Sequence, residues 1–316
     1  MEKKVYELGV LPVIKIEDAA NAKPLAKALI DGDLPAAEVT FRTKAAKDAI
    51  KAISQEFPEM LVGAGTVLTT AQVDDSIAAG AKFIISPGLN PKIVEYCKSK
   101  NVPIFPGVNN PSQIEQAIEL GLKVVKFFPA EQSGGLNMLK AMAAPYGDMK
   151  FMPTGGINAG NIEKYLDFKK IIACGGSWMV PENLIDAKDF AGITKLTKEA
   201  IQTVIGFKFA HLGINNPDEA AGSKCLDTLS LFGERVAIEV PVSYFTQNYE
   251  ILKKDSRGAK GHIAYVVNNI DRALAYLKRK GINIIEDSAK KDEKGNITFT
   301  YLDMEISGFA VHIKQK

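Results

Sequence analysis

The sequence of 316 residues predicts an α/β fold, with a parallel (β/α)8 barrel over residues 1–205 and a small α+β domain over residues 206–316, built from two paired units of one helix and several strands each. Two observations predict this arrangement. Between about residues 10 and 180, short β-rich apolar runs alternate eight times with amphipathic helical stretches, and most runs end in Gly, Pro or Thr. After about Gly206 that alternation stops, and two similar segments occur 51 residues apart.

The eight apolar runs are the predicted strands of the barrel. An open doubly wound sheet is the alternative architecture, but no Gly-rich dinucleotide-binding fingerprint opens the first helix. A final helix is predicted over residues 194–205. The eight runs are 10–16, 36–41, 61–67, 83–87, 104–108, 124–129, 150–153 and 170–174.

The composition narrows the classes of function. Lys and Arg total 39 and Asp and Glu total 37, so the charge does not indicate a nucleic acid or an anionic membrane as a partner. The N-terminal apolar stretch is too short for a signal peptide, and no run approaches the roughly 20 apolar residues of a membrane span. Cys97, Cys174 and Cys225 follow no disulfide or metal spacing. We therefore expect a cytoplasmic protein that acts on a small molecule.

The sixth run, V-V-K-F-F-P-A-E, places a lysine among large apolar side chains. Side chains alternate along a strand, so Lys126 points into the barrel if Val125 and Phe127 face the helices. Barrel enzymes hold their reactive groups at the C-terminal mouth. Burial favours the neutral form of an amine, which is the form that attacks a carbonyl to give a Schiff base. The alternative is a lysine whose stem packs on apolar surface while its head reaches water.

The second run, A-A-E-V-T-F-R-T, places Glu38, Thr40 and Arg42 on one face. Glu38 and Arg42 could simply pair with each other. Alternatively, Glu38 moves protons between bound water and substrate, while the planar guanidinium of Arg42 grips a carboxylate. A Schiff-base reaction on a keto acid uses both of these roles.

Paired glycines end the seventh and eighth units, in P-T-G-G-I at 153–157 and C-G-G-S-W at 174–178. Glycine lets backbone N–H groups approach an anion closely, and barrel enzymes frequently bind phosphate in the loops after strands seven and eight. Turns need glycine as well. Two such pairs in these two loops nevertheless favour a phosphate site.

Seven ordered motifs give residues 5–200 a family resemblance. They are V-L-P-V-I, E-V-T-F-R-T, V-G-A-G-T-V-L, I-S-P-G-L, K-F-F-P-A-E, P-T-G-G-I and G-G-S-W-M-V-P. They closely resemble the 2-keto-3-deoxy-6-phosphogluconate (KDPG) aldolases, which also act on 4-hydroxy-2-oxoglutarate (KHG). The resemblance implies a class I lyase in which Lys126 is the Schiff-base nucleophile and Glu38 the general acid and base. It also implies that Arg42 holds the pyruvate carboxylate.

The resemblance further implies a 2-keto acid phosphate substrate, cleaved into pyruvate and glyceraldehyde 3-phosphate without a metal or other cofactor, by a homotrimer. A phosphosugar isomerase that uses carboxylates rather than an imine is the competing hypothesis. Where the family has Thr or Ser after the fifth strand, this chain has Asn109 and Asn110, which bears on substrate preference. The implied substrate-binding residues are Thr66, Pro87 and Phe128 around pyruvate, Thr154 near the substrate, and Gly155, Gly156, Gly176 and Ser177 near the phosphate.

All the histidines of the chain lie after Gly206, and each has a small residue two positions away on its own face. Small neighbours leave a cavity into which imidazoles can project, and Glu250 on a further strand could complete a divalent metal site for Zn, Ni or Fe. The alternative is a binding or oligomerisation module with no metal. The histidines and their small neighbours are His211 with Gly213, His262 with Ala264 and His312 with Ala310.

This second region resembles the glyoxalase or vicinal oxygen chelate superfamily, in which paired βαβββ units form a funnel around a metal. The segment G-H-I-A-Y-V-V-N-N-I-D-R-A-L-A-Y-L-K-R-K-G-I carries most of the resemblance and is similar to the start of a second module. Many members have a glutamate as the last ligand, whereas this chain has His312 in A-V-H-I-K. Histidine also binds Zn, Ni or Fe, so the resemblance implies a metal site without implying glyoxalase activity.

Overall fold

The computed structural model describes residues 1–316 and contains two compact units, Met1–Val204 and Ile205–Lys316. The first unit is a parallel α/β barrel, and the second is built on one eight-stranded mixed sheet. None of the helices combines the length and the apolar composition that crossing a bilayer requires.

Eight parallel strands form a nearly closed barrel: β1 (Val10–Ile14), β2 (Ala36–Thr40), β3 (Leu61–Gly65), β4 (Ile84–Ser86), β5 (Ile104–Val108), β6 (Val124–Phe127), β7 (Lys150–Pro153) and β8 (Cys174–Gly176). Their order is β7-β6-β5-β4-β3-β2-β1-β8, and isolated bridges between Phe151 and Ile171 and between Thr154 and Gly175 join the two ends. Every residue of β2, β3, β5 and β6 is buried, as expected for parallel strands covered on both faces. The predicted (β/α)8, or TIM-type, barrel is confirmed.

Helices follow the strands, and several begin at side-chain caps. Thr69 forms a capping box with Gln72, and Asn90 and Asn110 each cap a helix that has proline in its first turn. The helices are α1 (Glu2–Leu8), α2 (Ala22–Asp31), α3 (Ala46–Glu56), α4 (Thr70–Ala78), α5 (Pro91–Ser99), α6 (Pro111–Glu119), α7 (Gly135–Ala143), α8 (Ile162–Leu166), α9 (Glu182–Asp186) and α10 (Phe190–Ile205).

The eighth strand begins later than its sequence predicts. The apolar run 170–174 predicts the strand, but β8 covers Cys174–Gly176, and Ile171 makes only an isolated bridge. Glycine has little intrinsic preference for strands, so the pairing of Cys174, Gly175 and Gly176 with β1 decides the position. The shift places the glycine pair inside the end of the strand.

The second unit contains two copies of one βαβββ arrangement. In the sheet, whose strand order is β10-β11-β12-β9-β13-β16-β15-β14, the two repeats meet at the antiparallel pair β9 and β13. The internal duplication predicted from the sequence is therefore present. The first repeat is β9 (Lys208–Ile214), α11 (Glu219–Ser230), β10 (Ile238–Val240), β11 (Ser243–Phe245) and β12 (Tyr249–Leu252); the second is β13 (Gly261–Val267), α12 (Ile270–Arg279), β14 (Lys290–Lys291), β15 (Ile297–Ile306) and β16 (Phe309–Gln315).

Candidate active site and metal centre

Lys126 on β6 and Glu38 on β2 lie together inside the barrel. The Nζ atom of Lys126 is 3.5 Å from Oε1 of Glu38, and the two side chains are 6% and 1% exposed. The same Nζ is 5.1 Å from the centre of the Phe128 ring. The structure thus brings the predicted nucleophile next to the predicted acid and base, in surroundings that exclude most water.

The Glu38 carboxylate fits because the neighbouring strand β3 ends in glycine. A Cβ atom on Gly65 would collide with that carboxylate, so no larger residue suits the position. Oε2 of Glu38 is buried without a hydrogen bond, and Oγ1 of Thr154, just after β7, is also buried and unpartnered. Buried polar atoms without partners are uncommon in proteins. Both atoms can therefore serve a bound substrate.

Arg42 lies just beyond β2 and is exposed to solvent. Its Nε donates a 3.0 Å hydrogen bond to Oγ1 of Thr40, whose hydroxyl donates a 2.8 Å bond to the carbonyl of Ile14. Arg42 does not pair with Glu38, which contacts Lys126 instead. The bond through Nε fixes the base of the guanidinium group and leaves the terminal nitrogens, which form the usual fork for a carboxylate, unused.

Three other predicted substrate residues follow the ends of strands. Thr66 follows β3, Pro87 follows β4 and Phe128 follows β6, and all three are half-buried. Thr66 has a φ of 57°, a left-handed conformation that is rare and strained for a β-branched residue. Since parallel strands end at the same edge, these residues share the mouth of the barrel with Lys126.

One glycine pair lies in its predicted loop, whereas the other, Gly175 and Gly176, lies inside β8 because it pairs with β1. Gly155 and Gly156 follow Thr154 in the loop after β7 and have φ values of 101° and 78°, conformations that favour glycine. Gly176 ends β8 and is buried, and Ser177 beside it is exposed. Gly155, Gly156, Gly176 and Ser177 therefore lie where barrel enzymes often bind phosphate.

Glu131 and Tyr165 stabilise the loop after β7. The sequence does not predict this pair. The backbone N–H of Glu131 donates to the carbonyl of Gly155 at 3.0 Å, and the Tyr165 hydroxyl donates a hydrogen bond to the Glu131 carboxylate. Burial, and then the bond to Glu131, raises the pKa of Tyr165. The glutamate of K-F-F-P-A-E is the sequence signal, but its partner lies 34 residues away on α8.

Comparison with known proteins shows to which family the chain belongs. Residues 1–196, more than half of the chain, match the family described as "Aldolase: KDPG and KHG aldolase". The chain belongs to the KDPG and KHG aldolase family. The family resemblance predicted from the motifs is thereby confirmed, and the chain is a lyase of the aldolase type.

This aldolase-family chain matches several relatives over nearly the whole length of each relative. The 2-dehydro-3-deoxy-phosphogluconate aldolase of Treponema pallidum is 49% identical over 195 residues, which are 62% of this chain and 93% of that protein. The KHG/KDPG aldolase of Escherichia coli K12 is 44% identical over 193 residues, which are 61% of this chain and 91% of that protein. The KDPG aldolase of Legionella pneumophila was solved with pyruvate captured as a covalent carbinolamine. It has 40% sequence identity and a TM-score of 0.62, and the match covers 63% of this chain and 98% of that chain.

In the second unit of this aldolase-family chain, four side chains converge from four adjacent strands. Nε2 of His211 on β9 and Nε2 of His262 on β13 are 3.2 Å apart. Oε2 of Glu250 on β12 is 3.2 Å from the first and 3.1 Å from the second. One ring nitrogen from each of the three histidines, including His312 on β16, lies within 4.8 Å of the others. The structure brings all four predicted residues together.

The register of the sheet explains how the imidazoles fit. Gly213 is the cross-strand partner of His262, and Ala264 is the partner of both His211 and His312. A Cβ atom on Gly213 would collide with the ring of His262. The small residues therefore make room for the histidine on the neighbouring strand.

Burial and hydrogen bonds fix the charges of the cluster. Burial acts to raise the pKa of Glu250, but hydrogen bonds from His211, His262 and Ser243 outweigh it and hold that pKa well below its usual range. Burial, helped by the two neighbouring histidines, lowers the pKa of His312 to about 3. At neutral pH the carboxylate is ionised and His312 is neutral, and metal ligands require these protonation states.

Three of the four donor atoms have the spacing of ligands on one divalent metal. Ligands about 2.1 Å from one metal lie about 3.0 Å apart at right angles and about 3.4 Å apart at tetrahedral angles. The separations of 3.1 and 3.2 Å among His211, His262 and Glu250 fall within that range. Nδ1 of His262 and Nδ1 of His312 are buried, and the protein supplies no hydrogen-bond partner for either atom.

Proposed function

We propose that the barrel is a class I aldolase that cleaves KDPG into pyruvate and glyceraldehyde 3-phosphate. The observation that carries the proposal is the buried contact of 3.5 Å between Lys126 and Glu38 at the barrel mouth. A desolvated amine beside a carboxylate suits imine formation. The names of the Treponema and Escherichia relatives support the substrate, and the pyruvate carbinolamine of the Legionella relative supports the chemistry.

In this proposal Lys126 and Glu38 share the steps of the reaction. Lys126 attacks the C2 carbonyl carbon, and Glu38 protonates the oxygen to give a carbinolamine and then assists loss of water to give an iminium. Glu38 next takes the proton of the C4 hydroxyl. The C3–C4 bond breaks, its electron pair moves into the iminium, and the aldehyde leaves. Protonation of the enamine at C3 and hydrolysis release pyruvate and restore Lys126.

The other residues at the mouth hold the two charged ends of the substrate. Arg42 would bind the carboxylate, with Thr66, Pro87, Phe128 and Thr154 around the keto acid. Gly155 and Gly156 in the loop after β7, Gly176 at the end of β8 and Ser177 would bind the phosphate through backbone N–H groups. KHG has the same C2 keto and C4 hydroxyl groups, so its cleavage to pyruvate and glyoxylate requires the same steps. Rates on both substrates decide the preference.

Borohydride reduction in the presence of pyruvate tests the imine. The chain should gain one reduced pyruvate unit, and peptide mass spectrometry should locate it on Lys126. Lys126→Ala should stay unmodified. Lys140→Ala removes a lysine of α7 that lies next to the Phe168 ring, and this variant should react like the parent chain. A parent chain that interconverts phosphosugars and forms no adduct would support the isomerase hypothesis instead.

We further propose that the second unit binds one divalent metal, Zn, Ni or Fe, through His211, Glu250, His262 and His312. The separations of 3.1 and 3.2 Å among the donor atoms of His211, Glu250 and His262 support this proposal, and a ring nitrogen of His312 lies within 4.8 Å of those of the other two histidines. A metal held there supplies Lewis acidity toward oxygen atoms that bind it. Elemental analysis should find one metal ion per chain and none in His262→Ala. A metal-free parent chain would favour the binding or oligomerisation module.

The family resemblance also leads us to propose a homotrimer. Light scattering after size-exclusion chromatography should give three times the 34.2 kDa mass of one chain. A monomeric mass at assay concentration would contradict it.

A further inference from the structure

A threonine hydroxyl links Arg42 to the end of the neighbouring strand β1. Oγ1 of Thr40, the last residue of β2, accepts a hydrogen bond of 3.0 Å from Nε of Arg42 and donates one of 2.8 Å to the carbonyl of Ile14, the last residue of β1. A guanidinium nitrogen only donates and a carbonyl oxygen only accepts, so the hydroxyl proton has one possible direction. Thr40 is 1% exposed, whereas Arg42 is exposed to solvent. The buried hydroxyl therefore gives an exposed cation a fixed acceptor.

Separate hydrogen bonds hold the backbone on either side of Arg42. The backbone N–H of Phe41 donates to the carbonyl of Gly65 at 2.8 Å, and the Thr43 hydroxyl donates to the carbonyl of Ile16 at 2.6 Å. Neither bond uses the Thr40 hydroxyl. Its removal should therefore release the side chain of Arg42 while the end of β2 stays attached to both neighbouring strands.

A hydrogen bond at Nε restricts the orientation of the whole guanidinium group, because that group is planar and rigid. Without the bond the side chain samples several rotamers, and a ligand that requires one of them must order the side chain when it binds. We propose that Thr40 is a positioning residue that orients the guanidinium of Arg42 for the carboxylate of a 2-oxo acid. Thr40 thus sets the affinity for the substrate and not the rate of the chemical steps. This inference rests on the carboxylate-binding role proposed for Arg42 and deepens it.

Exchange of the pyruvate C3 protons in D2O, followed by NMR over a range of pyruvate concentrations, separates affinity from rate. Thr40→Val keeps the shape of the side chain but removes the acceptor, so the half-saturating pyruvate concentration should rise by about three- to tenfold. The exchange rate at saturation should stay within about twofold of the parent rate, because Lys126 and Glu38 are unchanged. A half-saturating concentration at the parent value overturns the inference.

Two further variants test whether the hydroxyl itself is responsible. Thr40→Ser keeps the hydroxyl and should restore the parent half-saturating concentration. Thr197→Val removes another buried threonine hydroxyl, whose 2.8 Å bond to the carbonyl of Ile193 lies within α10, and should behave like the parent chain. A loss of affinity in either variant equal to that in Thr40→Val overturns the inference. If Thr40→Val does not fold, Thr40→Cys takes its place, since a thiol is a weak acceptor.

A double-mutant cycle identifies the group through which Thr40 acts. Arg42→Gln removes the guanidinium, and adding Thr40→Val to that variant should change the half-saturating concentration by less than about twofold. The same loss of affinity in both backgrounds overturns the inference, because Thr40 would then act without Arg42.

The outcomes for this inference and for the proposed aldolase remain separate. A parent chain that neither exchanges pyruvate protons nor forms a borohydride adduct overturns both. A parent chain that does both, with Thr40→Val indistinguishable from it, overturns only the role of Thr40.

Discussion

The barrel mouth and the histidine cluster both bury a carboxylate beside nitrogen atoms, but they hold it differently. Glu38 has one partner, Lys126 at 3.5 Å, and its Oε2 has none. Glu250 has partners in His211, His262 and Ser243 at 3.2, 3.1 and 2.9 Å, and its pKa is held low. A carboxylate with an unused oxygen can take and release protons, whereas a saturated one keeps its charge. The arrangement around Glu38 suits proton transfer, and the arrangement around Glu250 suits a metal ligand that stays ionised.

The largest effect should come from removing the carboxylate of Glu38, the proposed proton-transferring group. Glu38→Gln keeps the shape of the side chain but cannot exchange a proton, so the kcat for KDPG cleavage should fall by about 10² to 10⁴. Exchange of the pyruvate C3 protons in D2O, followed by NMR, should fall in parallel because it needs the same transfer.

Glu56→Gln is the matched control for this change. Glu56 is an exposed partner of Lys23 at 2.8 Å, and its loss should leave both rates at the parent value. Proton exchange at the parent rate in Glu38→Gln would remove the contrast between the two carboxylates.

The second effect concerns the saturated carboxylate. Glu250→Gln removes the charge from the cluster and should weaken Co2+ binding by about 100-fold, measured by competition with a chelator. KDPG cleavage should not change, and neither should the unfolding of the barrel followed by the fluorescence of Trp178, the sole tryptophan of the chain.

Glu239→Gln serves as the control within the same unit. Glu239 is 57% exposed and pairs with Lys253 at 2.7 Å, so Co2+ affinity should stay at the parent value. A cleavage rate that decreases together with the bound metal would contradict the separation of the two sites.

A smaller effect should come from the brace behind the loop after β7. Tyr165→Phe removes the hydrogen bond to Glu131, and the KM for KDPG should rise by about three- to tenfold because the proposed phosphate loop is held less firmly. Proton exchange of pyruvate, which has no phosphate, should be unaffected.

Tyr146→Phe removes a comparable hydrogen bond, the 3.0 Å bond to Glu115, and should change neither measurement. If pyruvate exchange falls as much as KDPG cleavage in Tyr165→Phe, the pair supports the whole barrel mouth rather than the phosphate loop.

The smallest effect is the dependence of the second unit on pH. The pKa values of Glu250 and His312 are both lower in the folded protein than their ordinary values, so the unfolded state binds more protons as the pH falls. The stabilisation is complete above about pH 7, the upper end of the ordinary histidine range, and is lost as the pH decreases. Calorimetry of chelator-treated protein should show the unfolding temperature of this unit decreasing from pH 7 to pH 4. The decrease should be smaller in Glu250→Gln; an equal decrease would mean that other groups dominate.

Much of the barrel site could be predicted because strand geometry is regular. The alternation of side chains places Lys126 and Glu38 on inner faces, and parallel strands bring their ends to one edge. The start of β8 could not be predicted in the same way. Its position depends on pairing with β1 rather than on the intrinsic preference of Gly175 and Gly176. The bond between Glu131 and Tyr165 depends on the folded path between β6 and α8, which no local pattern encodes.

The histidine cluster shows the same limit in another form. The duplication and the small residues near each histidine predict a cavity, and the structure contains the convergent side chains. The sequence suggests that Gly213 makes room for His211 on its own strand, whereas the register places it opposite His262. Cross-strand register is set by the whole sheet, so only the fold reveals which residue each small neighbour serves.

Since the ring of His262 occupies the space that a side chain at position 213 would need, the cluster depends on the smallest residue in it. A single added methyl group there would displace the imidazole from Glu250 while leaving every potential ligand in the sequence. A lineage could thus lose the centre through one codon. In related chains, a glycine at the facing position is therefore as informative as the histidines themselves.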